Sequence, residues 1–405
     1  MKAGGALVQS ADPREAAAHA VEQATRALGD TSPALAVLFA SAHFLAGAED
    51  LLAAITNALG PLPLIGCVGQ AVAGGAREIE SGPAVSLWLG AGLGPVETFA
   101  MEYIRTPSGG AYGGYLFPSE PSEPSGPSGP SGPSEPSGPT GAHLLIADPY
   151  TFPVDGLLAH LNDKSPGAVV MGGMASAALA PRQSRLFLDH RVLSAGAVGV
   201  HLPNAEVHPL VAQGCRPIGD AYIITRAEGS LIHELGGRPP LTRLREMAAA
   251  LPTRDQELLA QGLQLGVVID EYQAEPGQGD FLIRGVVGAD PDSGAIAVGD
   301  QIQVGQTVQF HVRDAQSADE DLRRALERES EALGGRRPAG ALLFTCNGRG
   351  SRLFDEPDHD TGLIASILGD VPLAGFFCAG ELGPVGGQNF LHTFTASIAL
   401  FPGPA

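Results

Sequence analysis

The chain has 405 residues, 44% of them apolar and only 17% charged, with 24 Lys+Arg against 44 Asp+Glu and a formal net charge of -20. So apolar a chain is not disordered as a whole, and so acidic a surface repels phosphate and anionic lipid, so neither nucleic acid nor a membrane is an expected partner. The length suits two or three domains.

The cysteines Cys67, Cys215, Cys346 and Cys378 lie far apart, without a C-x-x-C pair. Neither a disulfide framework nor a metal site is expected; reduced thiols in a cytoplasmic protein are. Met1 to Ala6 lacks the long apolar stretch of a signal peptide. No run of about 18 apolar residues predicts a transmembrane helix.

In chain order, Asp12, Pro13 and Glu15 form an N-terminal capping signature, and Gly29 a stop, for a helix over 12–29. A first block follows: an apolar run at Leu35–Ala40, a helical pattern at Glu49–Leu59, a second run at Pro63–Cys67 and a third at Ala84–Leu89. Residues 107–141 are dominated by Pro, Ser and Gly and predict a disordered or polyproline-like loop inside the first half. The block then recurs at Leu144–Ala147, Val170–Gly173 and Gly196–Leu202.

A β-rich stretch comes next. Ala221–Ala227 leads to a turn at Glu228-Gly229, and Phe281–Val287 and Gln301–Val312 flank the turn residues 290–294 as a hairpin. Ser317 and Glu320 form a capping box for a helix with an apolar stripe through Leu322, Ala325, Leu326 and Leu333. The block recurs once more at Ala341–Cys346, Pro372–Phe376 and Ala396–Phe401.

Each block reads strand, helix, strand with a glycine exit, loop, strand. That implies parallel first and second strands, with the third antiparallel to the second. The fold class is therefore α/β: two related halves of mixed sheets flanked by helices, packed through a shared β-rich layer. The expected boundaries are an N-terminal helix at 1–34, one domain at 35–215 and another at 216–405.

The first half resembles a FIST N domain, through Pro63-Leu64-Ile65-Gly66-Cys67, the segment Gly74 to Glu80, and Gly82-Pro83-Ala84-Val85-Ser86. The second resembles a FIST C domain, through Gly299-Asp300, Gly305-Gln306, Phe310 to Ala315, Cys346-Asn347-Gly348-Arg349-Gly350, His359-Asp360 and Ala379 to Gly387. The resemblance implies a sensory module for small ligands, amino acids among them. Family members are fused to signalling outputs, or to F-box segments in ubiquitin-ligase adaptors. No kinase, cyclase, chemotaxis or F-box segment is visible in this chain.

The candidate site residues follow from strand-exit logic. Gly66, Gly172 and Gly375 match across the blocks, with Cys67 and Gly173 beside them as further candidates, and glycine there would let amides approach a ligand or simply allow sharp turns. In Asn347-Gly348-Arg349-Gly350, a nest of amides and a guanidinium would grip a carboxylate, or Arg349 would sit in a structural ion pair. Arg313-Asp314 would line the same cavity or end a strand. His359 would contact the ligand, whereas Asp360 reads as a helix cap and His392 as structural. Glu381 would take an ammonium group or accept loop amides.

No nucleophile elbow, phosphate loop or zincin pair is present, and no cofactor is expected. The chain reads as a non-enzymatic sensor of a small polar ligand, relaying to a signalling partner. The alternatives are an adaptor scaffold and an enzyme using Cys67, Cys346 or Cys378 with His359 or His392 as base.

Overall fold

The structure is a computed structural model that describes residues 1–106, 109–118, 141–273 and 276–404. It opens on β1 (Lys2–Val8), which the glycine-rich sequence did not announce. Helix α1 (Pro13–Leu28) starts as expected, because the Asp12 carboxylate accepts the Arg14 and Glu15 amides at 2.9 Å each. Glu15, however, takes the Ser10 hydroxyl at 2.7 Å, so the reciprocal half of the capping box is not made. The first block becomes β2 (Leu35–Ala40), α2 (Ala48–Leu59), β3 (Leu64–Val68), a small hairpin β4 (Val72–Gly74) and β5 (Arg77–Ile79), and β6 (Val85–Ala91).

The second block carries β7 (Glu97–Thr106), β8 (Gly109–Gly113), β9 (Ala142–Ala147), α3 (Val154–Lys164), β10 (Val169–Met174), the hairpin β11 (Leu186–Leu188) and β12 (Arg191–Leu193), and β13 (Ala197–Leu202). The start of the Pro/Ser/Gly loop is thus corrected. Residues 109–113 are a strand paired with β7, where Tyr103 opposes Tyr112 across the ladder. Of that loop, 107–108 and 119–140 lie outside the described residues.

After β14 (His208–Gln213) come β15 (Cys215–Glu228), β16 (Leu231–Leu235), α4 (Pro240–Ala250), α5 (Thr253–Gln261), β17 (Leu263–Val268), β18 (Phe281–Ala289), β19 (Ile296–Val298) and β20 (Thr307–Arg313). Six of these strands close a barrel in the order β15-β16-β19-β18-β17-β20 around Ile224, Leu265, Val308 and Phe310. The expected hairpin is real, but its return strand is Ile296–Val298. Val308 to Val312 pair instead with β17 and β15.

The third block follows: α6 (Ala315–Ala332), β21 (Gly340–Cys346), α7 (His359–Leu368), β22 (Leu373–Cys378), the hairpin β23 (Glu381–Val385) and β24 (Gln388–His392), and β25 (Thr395–Phe401). Helix α6 starts before the predicted Ser317/Glu320 box. Its cap is Asp314, which accepts the Gln316 and Ser317 amides at 3.1 and 3.3 Å.

The blocks share one topology and correct one expectation. In each, the first two strands are parallel and the third pairs antiparallel with the first: β6 on β2, β13 on β9 and β25 on β21. The second strand's outer edge is covered by a hairpin from another block. β11 lies on β3, β23 on β10 and β4 on β22. Each block therefore lends its hairpin to a different neighbour, and the loans close a ring. The resulting sheets are β1-β6-β2-β3-β11-β12, β24-β23-β10-β9-β13-β7-β8 and β14-β25-β21-β22-β4-β5.

Between them lies one apolar core with contributions from all three blocks, including Phe39, Ile65, Ile146, Met171, Phe344 and Phe376. Phe39 packs on Phe376 with ring centroids 4.8 Å apart. The halves are thus joined by exchanged strands and a common core, not by one shared β layer.

Candidate functional site

The matching glycines belong to that core. Gly66, Gly172 and Gly375 do correspond, but they sit inside β3, β10 and β22 and not at strand exits. They face Leu38, Leu145 and Leu343 of the adjoining parallel strands, and a Cβ on any of them would collide with the backbone carbonyl of that leucine. Their role is close approach of paired strands. The true exits do converge: the Gln70 amide donates to the Ser176 hydroxyl at 2.8 Å, and Ala379 N–H to the Met174 carbonyl at 3.0 Å. Cys67 is buried in the core, and Gly173 makes room for the Cys378 thiol.

A different set of predicted residues does gather, at the carboxyl end of β21. Arg349 N–H donates to the Cys346 carbonyl at 2.8 Å, and Gly350 takes φ 58°, which folds the chain sharply back on the strand. The turn drives Arg349 inward, where it is 0% exposed. Its Nε and Nη2 donate to the two carboxylate oxygens of Asp360 at 2.8 and 2.7 Å.

Asp360 is therefore not the helix cap. It lies in the first turn of α7 and is the buried counterion of Arg349, accepting the Thr345 hydroxyl at 2.7 Å as well. Burial works to raise its carboxyl, but the Arg349 guanidinium overrides this and holds it well below the usual range. His359 stacks on Phe354 and bridges Asp360 and Asp319 at 3.0 and 3.1 Å.

Around this pair several polar atoms are buried without partners among the described residues. Arg349 Nη1 is one, next to Gly214. Arg313 Nε is another; the same guanidinium lies over the Phe394 ring at 5.0 Å and donates through Nη2 to the Gly348 carbonyl. Glu381, opposite Gly173 on β10, is fully buried. Its Oε2 accepts the Thr395 hydroxyl at 2.9 Å, whereas Oε1 accepts no hydrogen bond from a backbone or hydroxyl donor; the Cys346 thiol neighbours the carboxyl group. Burial pushes its carboxyl up to about 8, which favours the neutral form.

Asp314 stands apart from this group. It caps α6 and is held by Arg216 at 2.7 Å and Arg254 at 3.0 Å. Asn347 is half-buried, and its N–H donates to the Cys378 carbonyl at 2.8 Å. His392 is buried and bonded to the Gly383 carbonyl, a structural histidine as expected.

Sequence reasoning missed two carboxylates of the first half. Glu78, on the lent strand β5, accepts the Thr361 amide at 3.0 Å at the start of α7; burial and then the Asp360 charge push it up to about 8. Glu80 accepts the Ser351 amide and hydroxyl at 2.8 and 2.7 Å. Both lie in the Gly74–Glu80 segment quoted above, where nothing in the residue types signalled a partner more than 250 positions away.

The thiols are poor nucleophiles here. Burial pushes Cys215 and Cys346 up to about 12 and holds Cys67 and Cys378 well above the usual thiol range. A disulfide reagent should therefore titrate almost no thiol in the native protein at pH 7.5 and four in denaturant. One fast stoichiometric native reaction would contradict this. Among the described residues no His/Cys/Asp/Glu group is arranged to hold a metal, and no helix is long and apolar enough to cross a membrane.

Comparison with known proteins fits this architecture. The FIST N domain family matches residues 34–238 and the FIST C domain family residues 242–384. The uncharacterized protein Rv0628c of Mycobacterium tuberculosis (strain ATCC 25618 / H37Rv) is 49% identical over 401 residues, covering 99% of this chain and 100% of that protein. The uncharacterized protein Mb0898c of Mycobacterium bovis (strain ATCC BAA-935 / AF2122/97) is 48% identical over 401 residues, 99% of each chain. FIST domains are generally sensory domains, and this chain, with its tandem FIST N and FIST C domains, belongs to the FIST family.

Proposed function

We propose that the chain senses a small polar ligand, of which an amino acid is the best-fitting class, at the polar cluster beneath the Asn347–Gly350 turn, and relays its arrival to a signalling partner. The observation that carries this is the set of unfilled hydrogen-bonding positions of opposite polarity in one buried cluster: Arg349 Nη1 and Arg313 Nε on one side, Glu381 Oε1 on the other. A ligand carboxylate complements the first and a ligand ammonium the second. An unpaired buried polar atom is costly, and a zwitterion would satisfy several at once.

The cluster is closed, so ligand entry and movement of the turn are one event. The turn is fastened to the first half through Glu80 and Ser351, so opening it loosens a contact between the two domains. The ligand then favours whichever arrangement admits it, and a partner reads the change.

A thermal-shift screen of free amino acids and related metabolites is the direct test, since a ligand of the folded state raises Tm. Glu381→Gln keeps an acceptor for Thr395 but cannot ionise, and Arg313→Met removes one guanidinium. Each should weaken a genuine hit at least about tenfold, on the order of 1.4 kcal/mol. Because Glu381 must lose its proton to hold an ammonium, wild-type affinity should rise as pH approaches about 8, and the rise should vanish in the Gln variant. A screen without hits, or hits indifferent to both changes, removes the proposal.

A further inference from the structure

A concave site lies in the middle block, away from the closed Arg349 cluster. It is a cleft of about 980 Å³ at the carboxyl end of β9, where Pro149 and Tyr150 leave the strand and Gly196 leads into β13. Arg105, Arg182, Tyr103 and Glu102 line its walls. Ligands of α/β sheets favour this position, and the volume is at the upper end of the range for small-molecule pockets.

Its charge runs against the rest of the molecule. In a chain of net charge -20, this cleft sets two guanidinium groups against one carboxylate, Glu102. Neither Arg105 nor Arg182 has an ion-pair or hydrogen-bond partner among the described residues.

Arg182 is also placed where an arginine is unfavourable. It occupies the third position of the turn closed by Gln183 N–H on the Ala180 carbonyl, with φ 65°. Turns with that sign of φ take glycine or asparagine, because a Cβ crowds the backbone. A larger residue held there is explained by what its side chain does. Aromatic surface completes the site: Tyr150 is 43% exposed, with its hydroxyl pinned to the Ala178 carbonyl at 3.2 Å, so its ring is fixed at the wall.

We infer that this cleft binds an anion carried on a planar aromatic body, of which a nucleoside monophosphate is the fitting class: Arg105 and Arg182 take the phosphate and the tyrosine rings the base. The two guanidinium groups supply bidentate donors, and the surrounding negative field rejects anions that cannot reach both.

The test is calorimetric titration of the full chain with AMP, adenosine and inorganic phosphate in parallel. AMP should bind at least tenfold more tightly than either fragment, and the advantage should shrink with salt. Arg105→Ala should weaken AMP at least tenfold. Arg182→Gly is the sharper variant, because glycine relieves the backbone: the protein should melt no lower than wild type, yet AMP binding should fall at least tenfold. Binding of AMP no tighter than that of phosphate or adenosine overturns the inference, and so does an Arg182→Gly protein that binds AMP as wild type does. Glu381→Gln should leave AMP binding unchanged, which separates this outcome from that of the amino-acid screen.

Discussion

Replacing Asp360 with alanine should lower the unfolding free energy by about 3–5 kcal/mol, the cost of leaving a buried charge without its partner. The charge is Arg349, fully enclosed and held through two parallel hydrogen bonds of 2.8 and 2.7 Å. Thr345 and His359 would lose their acceptor in the same step. Urea denaturation at pH 7 measures the effect. The double replacement Arg349→Met with Asp360→Leu should recover most of the loss, since an apolar pair of similar volume avoids the desolvation of both charges. A loss below about 1 kcal/mol for Asp360→Ala would mean that water reaches the guanidinium, in the range of an exposed pair.

The second large effect concerns strand spacing. Gly66→Ala or Gly375→Ala should cost more than about 3 kcal/mol, or abolish soluble expression, because the added methyl meets backbone that cannot rotate away. The obstacles are the carbonyls of Leu38 and Leu343. Gly172→Ala should be at least as severe, since φ there is 145° as well. Gly362, inside α7, has open space around the position of a Cβ and ordinary helical backbone. Gly362→Ala should therefore stabilise by roughly 0.5–1 kcal/mol, the usual gain in a helix interior. Equal losses at Gly66 and Gly362 would contradict the close-approach argument.

The elements with strong local signals were legible before the coordinates. The Leu35–Ala40 and Ala341–Cys346 runs are strands, the Asp12 cap starts a helix, and the three blocks are related. What stayed hidden depends on pairing at a distance. β4 and β11 have three residues each, too short for a periodicity, and their partners Phe376 and Gly66 are set by the tertiary fold. The matching of the three glycines was readable as a pattern, but a glycine at a strand exit and one inside a strand look alike in sequence. Gly348 and Arg349 were correctly placed in a tight turn after a strand. The choice between ligand and ion pair for Arg349 depended on where Asp360 points, and a helix-start signature cannot reveal a carboxylate turned back into the core. Glu381 was flagged for its charge, yet only its burial beside Thr395 shows that its carboxyl is pushed up toward the neutral form.

The loaned hairpins have a consequence for how the molecule can be divided. The boundary between the two family domains falls near residue 240, yet β4 and β5 are outer strands of the sheet built around β21, and β23 and β24 are outer strands of the one built around β9. A fragment cut at that boundary would carry a bare edge at β10 and an orphan hairpin with no sheet to join, both invitations to aggregate. The two named domains are units of sequence, whereas the sheets are complete only in the whole ring.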